Sequence, residues 1–404
     1  MRVDGEHGEV WRGSARSDDV RRFNRRRVLR CVRRAREISR TGVAELTGLS
    51  PATVTAIASD LMSAGLLEEA APSMGVRRTG RGRPTTNLSL NARASSVAIV
   101  NLQLDTITGA IIDYTGQTIG SGSCRIATRS ASRAKLRAGL ASVLQAAISD
   151  AGRKRPRIGR VCVAAQGVTD VGCRILTWSP VTKSGGLEIA EWIEDDFGVS
   201  TDVRNDAGLA ALGLNARAPE TYSDAFAVVL LAHGVGMGLF LNGQLVQGGL
   251  SSGTEFGHMI HQSGGAKCRC GVSGCIEAYA GDYAILRRAD GRDVTSQPTR
   301  SVSLRDIEAV GARVASGDAL ARAAIDEAGR AIGVGLASLF ALVDPFPVVF
   351  AGSSAGLQDH LEPAIRAAIS DHLGPRFNGA TNDGGRVTFA FVADADGLIQ
   401  HGAG

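Results

Sequence analysis

The sequence has 404 residues, 44% of them hydrophobic, which is enough to build two or three domains with sizeable cores. No apolar run reaches the ~18 residues of a membrane-spanning helix, and the Arg-rich N-terminus is unlike a signal peptide. Seven cysteines, an odd number with three of them clustered, fit a reducing compartment and a metal site better than a disulfide framework. We therefore expect a cytoplasmic protein without a membrane span.

Positive charge is concentrated in the N-terminal quarter. Residues 1–96 contain 18 Arg and 10 acidic residues, a net charge of +8, whereas the remainder carries −3. This asymmetry is typical of a nucleic-acid-binding module joined to a slightly acidic body, and a solvated basic face is the alternative.

The N-terminal segment divides into a leader and a helix. Residues 1–21 are polar and charged without apolar periodicity, which predicts a disordered leader. From Phe23 the pattern predicts an Arg-rich helix with one apolar stripe, made of Val28, Leu29, Val32 and Ile38.

A helix-turn-helix is predicted next. A short helix follows Ser39 and ends at Gly48, and Ser50-Pro51 is a strong start signal for a second helix. The second helix has an apolar inner face and a small, polar outer face, as a helix that reads the major groove requires. The predicted DNA contacts are Ser39, Arg40, Ser50, Pro51, Ala52, Thr53, Thr55 and Ala56. A three-helix packing unit without a DNA contact is the alternative.

A wing is predicted from the strand that begins at Leu66-Leu67. Its loop contains Arg-Arg-Thr-Gly-Arg-Gly-Arg-Pro, an extended, thin and cationic segment that can enter a narrow minor groove. The residues predicted to contact DNA there are Arg77, Arg78, Arg81 and Arg83. A linker that touches only phosphates is the alternative.

An α/β body follows from about residue 93. Strands are predicted at 96–102, at 108–113, after a turn at Thr115-Gly116, and at 158–165, with an amphipathic helix at 132–151. Further strands are predicted at 225–231, 347–351 and 387–392. Asn242-Gly243 predicts a hairpin turn, and 319–342 predicts a long core or interface helix.

One short stretch clusters metal-ligand residues. His258, Cys268, Cys270 and Cys275 are separated by ten, two and five residues. Three thiolates and one imidazole form a complete tetrahedral zinc shell with no open position, which predicts a structural Zn²⁺. Free thiols beside an incidental histidine are the alternative reading.

This stretch resembles the zinc motif of the ROK family (repressors, open reading frames, sugar kinases), written Gly-Glu-x-Gly-His and Cys-x-Cys-Gly-x-x-Gly-Cys-x-Glu. Thr254 departs from it, standing where glycine is usual. The residues from Ile38 to Ser50, with Gly80-Arg81-Gly82-Arg83-Pro84, resemble the DNA-binding half of ROK repressors, which simple ROK kinases lack. The resemblance covers nearly the whole chain from about Phe23.

The resemblance implies the fold class and domains. It implies an α/β chain with an N-terminal winged helix-turn-helix, followed by a two-lobed actin-like (ribonuclease H-like) sugar kinase fold with a zinc loop. The implied boundaries are 22–92 for the DNA-binding domain, 93–215 with 393–404 for the first lobe, 216–392 for the second lobe, and 258–275 for the zinc loop.

The resemblance also implies a sugar site. Asp206 matches the general base of ROK kinases, and Asn205-Asp206 stands at a predicted strand end, where a helix-capping role is the alternative. The implied ligand-binding residues are Asn205, Asp206, Glu255, His258 and Glu277. His258 would use one ring nitrogen for zinc and turn the other toward the ligand or a carboxylate.

The phosphate side of the site departs from the family. Kinases carry Asp-x-Gly-Gly-Thr where this chain has Asn101-Leu102-Gln103-Leu104-Asp105-Thr106, without a glycine pair or a charge at Asn101 for magnesium. The segment His233-Gly234-Val235-Gly236-Met237-Gly238 resembles the second phosphate loop, with His233 where kinases commonly have threonine. We therefore expect no catalytic residue, and Asp206 in a vestigial position.

Together these patterns predict a sugar-responsive transcriptional regulator, a repressor of carbohydrate uptake or catabolism genes. Its expected partners are operator DNA, a small sugar effector and a second copy of the chain, as a homodimer or a dimer of dimers. The alternatives are an active sugar kinase with an accessory DNA domain, and a regulator controlled by a phosphosugar or a protein partner.

Overall fold

The structure is a computed structural model that describes residues 17–70, 86–153, 155–249, 253–298, 301–374 and 387–404. The chain forms two compact units, one with the residues up to Ser95 together with Asp113–Gln117, the other with the rest. In the described ranges, no helix has the length and apolar character needed to cross a membrane.

The first unit is a winged helix-turn-helix. Its elements are α1 (Ser17–Ala35), β1 (Glu37–Ser39), α2 (Arg40–Thr47), α3 (Pro51–Ser63), β2 (Leu67–Glu69) and β3 (Asn87–Leu90). The strands form an antiparallel sheet in the order β1-β3-β2. The helices and the sheet share one core, in which Val28, Val32, Val54 and Leu61 are fully buried.

Both predicted helix starts in this unit are confirmed. The Ser39 hydroxyl accepts a hydrogen bond from the Gly42 N–H, and the Ser50 hydroxyl accepts one from the Thr53 N–H. Gly48 ends α2 in the left-handed conformation, at φ 67°, which glycine adopts without a steric cost.

Helix α1 begins earlier than the sequence pattern predicts. It starts at Ser17, so residues 17–21 of the predicted leader are helical. Arg21 in this segment pairs with Asp60 of α3 at 2.5 Å, an interaction between helices that local periodicity does not reveal. The rest of the leader, residues 1–16, lies outside the described residues.

The assignment of Ile38 to the helical stripe is wrong. Arg36 adopts a left-handed backbone, at φ 61°, which ends the helical path, and Ile38 then pairs with Leu88 in the sheet. The predicted wing residues Arg77, Arg78, Arg81 and Arg83 lie outside the described residues.

The second unit begins with a lobe built on a five-stranded sheet. Its elements are β4 (Ser96–Gln103), β5 (Thr106–Asp113), β6 (Thr118–Arg125), α4 (Arg133–Asp150), β7 (Ile158–Ala165), β8 (Val168–Thr169), β9 (Leu176–Trp178), α5 (Ile189–Phe197) and β10 (Thr201–Asn205). The sheet order is β10-β7-β4-β5-β6, and β8 and β9 form a separate hairpin.

The second lobe repeats this topology. The remaining elements are α6 (Asp206–Arg217), β11 (Phe226–Leu231), β12 (Val235–Leu241), β13 (Gln244–Leu245), α7 (Glu277–Ala280), α8 (Asp282–Ala289), α9 (Leu304–Ala315), α10 (Ala319–Val343), β14 (Val348–Ala351), α11 (Gln358–Leu373), β15 (Phe389–Val392) and α12 (Ala395–Ala403). The sheet order is β13-β12-β11-β14-β15. In each five-stranded sheet the first strand along the chain is central, with the second and third strands on one side and the fourth and fifth on the other. This repeat is the predicted actin-like arrangement.

Helices α6 and α12 form a shared core with both sheets. Leu398 and Ile399 of α12 cluster with α6 and with Phe226 and Val228 of β11. The two helices touch closely, since a Cβ on Gly213 would lie 1.9 Å from the Leu398 carbonyl. Helix α6 runs to Arg217, so the boundary predicted at 215/216 falls inside it.

Candidate ligand cleft and metal centre

A cleft lies between the two lobes of the second unit. The first lobe and the first residue of α6 contribute Gln103, Gln166, Gly167, Trp178, Pro180, Asn205 and Asp206. The second lobe contributes Leu230, Ala232, His233, Gly234, Val235, Gly236, Thr254, Glu255, His258 and Glu277. All five residues that the sequence suggests for ligand binding therefore line one cleft.

Asp206 stands at the N-terminus of α6, where β10 ends. One carboxylate oxygen accepts a 2.8 Å hydrogen bond from the Ala207 N–H, which leaves the other oxygen available to the cleft. Burial raises the pKa of Asp206 to about 6, so the group is mostly ionised at neutral pH.

Asn205 caps α6. Its side-chain oxygen accepts a hydrogen bond from the Gly208 N–H at 3.0 Å, and its amide donates to the Gly167 carbonyl at 2.9 Å. The capping alternative is thus realised, and it fixes the cleft wall from which Asp206 projects. Any contact with a ligand would use the remaining amide hydrogen or oxygen lone pair.

Glu255 and His258 come from the short 3₁₀ turn Phe256–His258 and the residue before it. A Glu255 carboxylate oxygen lies 3.7 Å from His258 Nε2, while His258 Nδ1 lies 3.8 Å from Cys268 Sγ. Burial, with the charges of Asp206 and Glu277, raises the pKa of Glu255 to about 7. The imidazole thus faces thiols on one side and the cleft on the other.

Glu277 lies deeper than the other four residues. It is 1% exposed, and its carboxylate accepts hydrogen bonds from the Val235 N–H at 3.2 Å and the Tyr283 hydroxyl at 3.3 Å. The same carboxylate lies 3.4 Å from Cys268 Sγ. Glu277 therefore positions the loop after β11 and the cysteine cluster, and it also lines the cleft.

The end of β4 and the turn before β5 hold the residues that stand at the position of the kinase phosphate motif. Leu104 is buried in the first-lobe core, and Asp105 has a left-handed backbone at φ 59°. Asn101 and Gln103 both donate to an Asp396 oxygen, at 3.4 and 3.3 Å. The two positions of the glycine pair thus carry side chains: Gln103 is hydrogen-bonded to Asp396, and Leu104 packs in the core.

Two side chains that the sequence does not suggest as ligand-binding residues also line the cleft. The Gln166 amide lies across the cleft against Gly234, where a Cβ would sit 2.0 Å from its nitrogen. Trp178 meets His258 edge to face, with ring centroids 5.4 Å apart. The position of Gln166 directly after a buried strand is a usable signal, since such strand ends border ligand sites in α/β folds.

His258, Cys268, Cys270 and Cys275 form a candidate metal centre. Their donor atoms lie within 4.8 Å of one another, and the Cys270 and Cys275 sulfurs are 3.7 Å apart. Zinc–sulfur bonds of about 2.3 Å in a tetrahedron place sulfurs roughly 3.8 Å apart, so the spacing fits a four-coordinate ion. A Cβ on Gly274 would lie 1.9 Å from the Gln262 carbonyl, which requires glycine in this loop.

Tyr283 and Arg269 pack around the cysteine cluster. Tyr283 lies 3.7 Å from Cys268 Sγ, and the Arg269 guanidinium stacks 4.2 Å over the Tyr283 ring. Arg269 also donates a hydrogen bond to the His233 carbonyl. The cysteine loop is therefore tied to the loop after β11, which forms a wall of the cleft.

The predicted DNA-reading face lies on α3. Pro51, Ala52, Thr55 and Ala56 are exposed, whereas Thr53 is half-buried. The Thr55 hydroxyl donates to the Pro51 carbonyl at 2.8 Å. On α2, Arg40 is half-buried and lies 3.5 Å from Glu69, and the Ser39 hydroxyl serves as the helix cap.

The fold and site define a winged helix-turn-helix joined to a two-lobed sugar-kinase-like body. The chain belongs to the ROK family, whose model matches residues 100–399. A model described as winged helix-turn-helix DNA-binding matches residues 24–68.

Several full-length relatives and solved structures are similar. The xylose repressor of Bacillus spizizenii is 22% identical over 89% of this chain and 90% of its own length. The DNA-binding transcriptional dual regulator NagC of Escherichia coli is 26% identical over 87% of this chain and 86% of its own.

Solved structures show the same fold. A ROK family transcriptional regulator, a homologue of the E. coli MLC protein, has a TM-score of 0.71, 22% identity, and coverage of 95% of this chain and 96% of that chain. A ROK glucokinase from Streptomyces griseus has a TM-score of 0.59 and 22% identity. The match covers 76% of this chain and 98% of that chain.

Proposed function

We propose that this chain is a sugar-responsive, DNA-binding transcriptional regulator, a repressor of genes for carbohydrate uptake or catabolism. The observation that carries the proposal is the joining of a winged helix-turn-helix to a ROK body in which the five residues expected to bind sugar line one cleft. Relatives named xylose repressor and NagC that match over most of the chain support it.

The body is proposed to bind sugar without phosphorylating it. Asp206 stands ready to accept a hydroxyl proton, but phosphoryl transfer also needs a backbone cradle and a metal-binding carboxylate. Asn101 has no charge for magnesium, and Gln103 and Leu104 stand where kinases have the glycine pair. The ligand residues proposed are Asn205, Asp206, Glu255, His258 and Glu277.

Operator DNA is the proposed macromolecular partner. The exposed face of α3 would read one half-site, and the arginines of the wing loop would touch the adjacent minor groove or phosphates. Because one helix covers too little DNA for high specificity, a homodimer or dimer of dimers on a two-fold site is proposed. The domains proposed are a DNA-binding domain that starts with α1 at Ser17 and two lobes whose boundary is moved from 215/216 to the end of α6 at Arg217.

Sugar phosphorylation is expected to be absent. With glucose, xylose or N-acetylglucosamine and Mg-ATP, sugar-dependent ADP release should stay below about 0.01 s⁻¹, against roughly 1–100 s⁻¹ for kinases. Asp206→Ala should give the same background. The paired measurement is operator binding with and without each sugar. Fast ADP release that Asp206→Ala abolishes would contradict the proposal.

The metal is proposed to be a structural Zn²⁺. The wild-type protein should retain about one zinc per chain by elemental analysis, and Cys268→Ala should retain less than about a tenth of that, with a lower Tm. Cys124→Ala is the matched control, since Cys124 is a half-buried thiol outside the cluster. Equal zinc in both variants would contradict the assignment.

Sugar affinity is expected to fall as pH drops through about 6, the pKa of Asp206. A sugar hydroxyl donates to the ionised carboxylate, so protonation replaces a charged acceptor by a neutral, weaker one. Stability changes in the opposite direction: relative to an unfolded pKa of about 3.9, ionised Asp206 costs stability above pH 6, and the cost is relieved as pH falls toward 4. Titration calorimetry from pH 5 to 8 should show the sugar affinity of the wild type approaching that of Asp206→Asn as the pH falls. A difference in sugar affinity that stays constant over this pH range would contradict the assignment to Asp206.

A further inference from the structure

Trp178 gives the cleft a fixed aromatic wall. It is half-buried at the end of β9, and its ring stands at 80° to the His258 imidazole. The Trp178 backbone pairs with Val168. It also packs tightly on Gly167, because a Cβ on Gly167 would lie 2.3 Å from the Trp178 carbonyl oxygen. The ring is therefore presented to the cleft by rigid elements.

The other walls carry negative charge. Among the described residues that line the cleft, Asp206, Glu255 and Glu277 are carboxylates and none is Lys or Arg. Arg269 is 6% exposed behind the loop after β11, bound to a carbonyl and stacked on Tyr283, and does not line the cleft.

This charge distribution selects between ligand classes. A phosphate ester carries about −1.5 to −2 charges at neutral pH. It would enter beside Asp206, which is mostly ionised, and the carboxyl groups of Glu255 and Glu277, with no Lys or Arg among the described lining residues to pair with. A neutral sugar ring has hydroxyls that donate to carboxylates and an apolar C–H face that suits an aromatic surface.

We propose that this cleft takes an unphosphorylated cyclic sugar, which stacks its apolar face on Trp178 and donates hydroxyl hydrogen bonds to Asp206 and Glu255. The inference rests on the proposed function and narrows it, because it names the class of effector and adds Trp178 as a residue that determines specificity.

The test compares matched ligands and matched tryptophan variants of the full-length protein. Calorimetry with glucose, xylose and N-acetylglucosamine should show binding of at least one free sugar, and glucose 6-phosphate or N-acetylglucosamine 6-phosphate should bind at least about tenfold more weakly than its parent. Trp178→Ala should lose at least about tenfold in affinity, and Trp178→Phe less than about threefold.

Trp192→Phe is the control, because Trp192 packs on the first-lobe core from α5 and is not among the cleft residues. It should keep the wild-type affinity and the sugar-induced fluorescence change, which Trp178→Phe should lose. Unchanged zinc content and operator binding in each variant show that the fold is retained.

Each contrary result has its own meaning. A phosphate ester that binds more tightly than its parent and alters operator binding overturns the ligand class while the regulator proposal stands. Wild-type affinity in Trp178→Ala overturns the stacking role. Operator binding that no tested carbohydrate alters, with no carbohydrate bound at millimolar concentration, overturns both the effector class and the sugar response.

Discussion

Ala56→Glu should reduce operator affinity at least about 100-fold. Ala56 is exposed on α3, one turn after the helix start, so a longer acidic side chain would project into the major groove. Lost base contacts cost roughly 1–3 kcal/mol each, and repulsion from the surrounding phosphates adds to this cost. Glutamate is a good helix former, so the unit should remain folded.

The matched control adds the same charge elsewhere. Ser142 is exposed on α4 in the second unit, and Ser142→Glu should leave operator affinity within about threefold of wild type. Fluorescence anisotropy with a labelled operator, at two salt concentrations, measures both variants. If Ala56→Glu binds as tightly as Ser142→Glu, α3 is not the reading helix.

Local signals in the sequence predicted much of the fold. The Ser39 and Ser50 caps, the 158–165 strand and the Asn242-Gly243 hairpin depend on residues close together in the chain, and the structure has each of them. The four candidate metal ligands come together for the same reason, since they lie within one loop segment.

Contacts between distant segments were harder to predict. Trp178 and Gln166 both line the cleft although β9 and β7 are separate in the chain, and only the place of Gln166 after a buried strand gives a signal in the sequence. Likewise, burial of Glu277 against Cys268 and Val235 depends on how α7 packs. A Glu277 substitution would therefore disturb the metal cluster as well as the cleft.

Asp206 is the cleaner probe of the effector response. Its carboxylate accepts a hydrogen bond from the neighbouring Ala207 N–H, and asparagine keeps an oxygen for that bond. Asp206→Asn should lower sugar affinity by about 10- to 100-fold, because a hydrogen bond to a charged group contributes roughly 1.5–3 kcal/mol. Operator affinity without sugar should stay within about threefold of wild type.

Asp202→Asn supplies the control from the same strand, since Asp202 pairs with Arg160 at 2.6 Å and does not line the cleft. Linkage makes the test stricter: operator DNA must change sugar affinity by the same factor by which sugar changes operator affinity. In the wild type, and likewise in Asp202→Asn, we expect the factor for sugar affinity to equal the factor for operator affinity. At a sugar concentration that saturates wild type, Asp206→Asn should show little operator response. If it responds fully there with wild-type sugar affinity, the effector does not contact Asp206, and the regulatory ligand binds elsewhere.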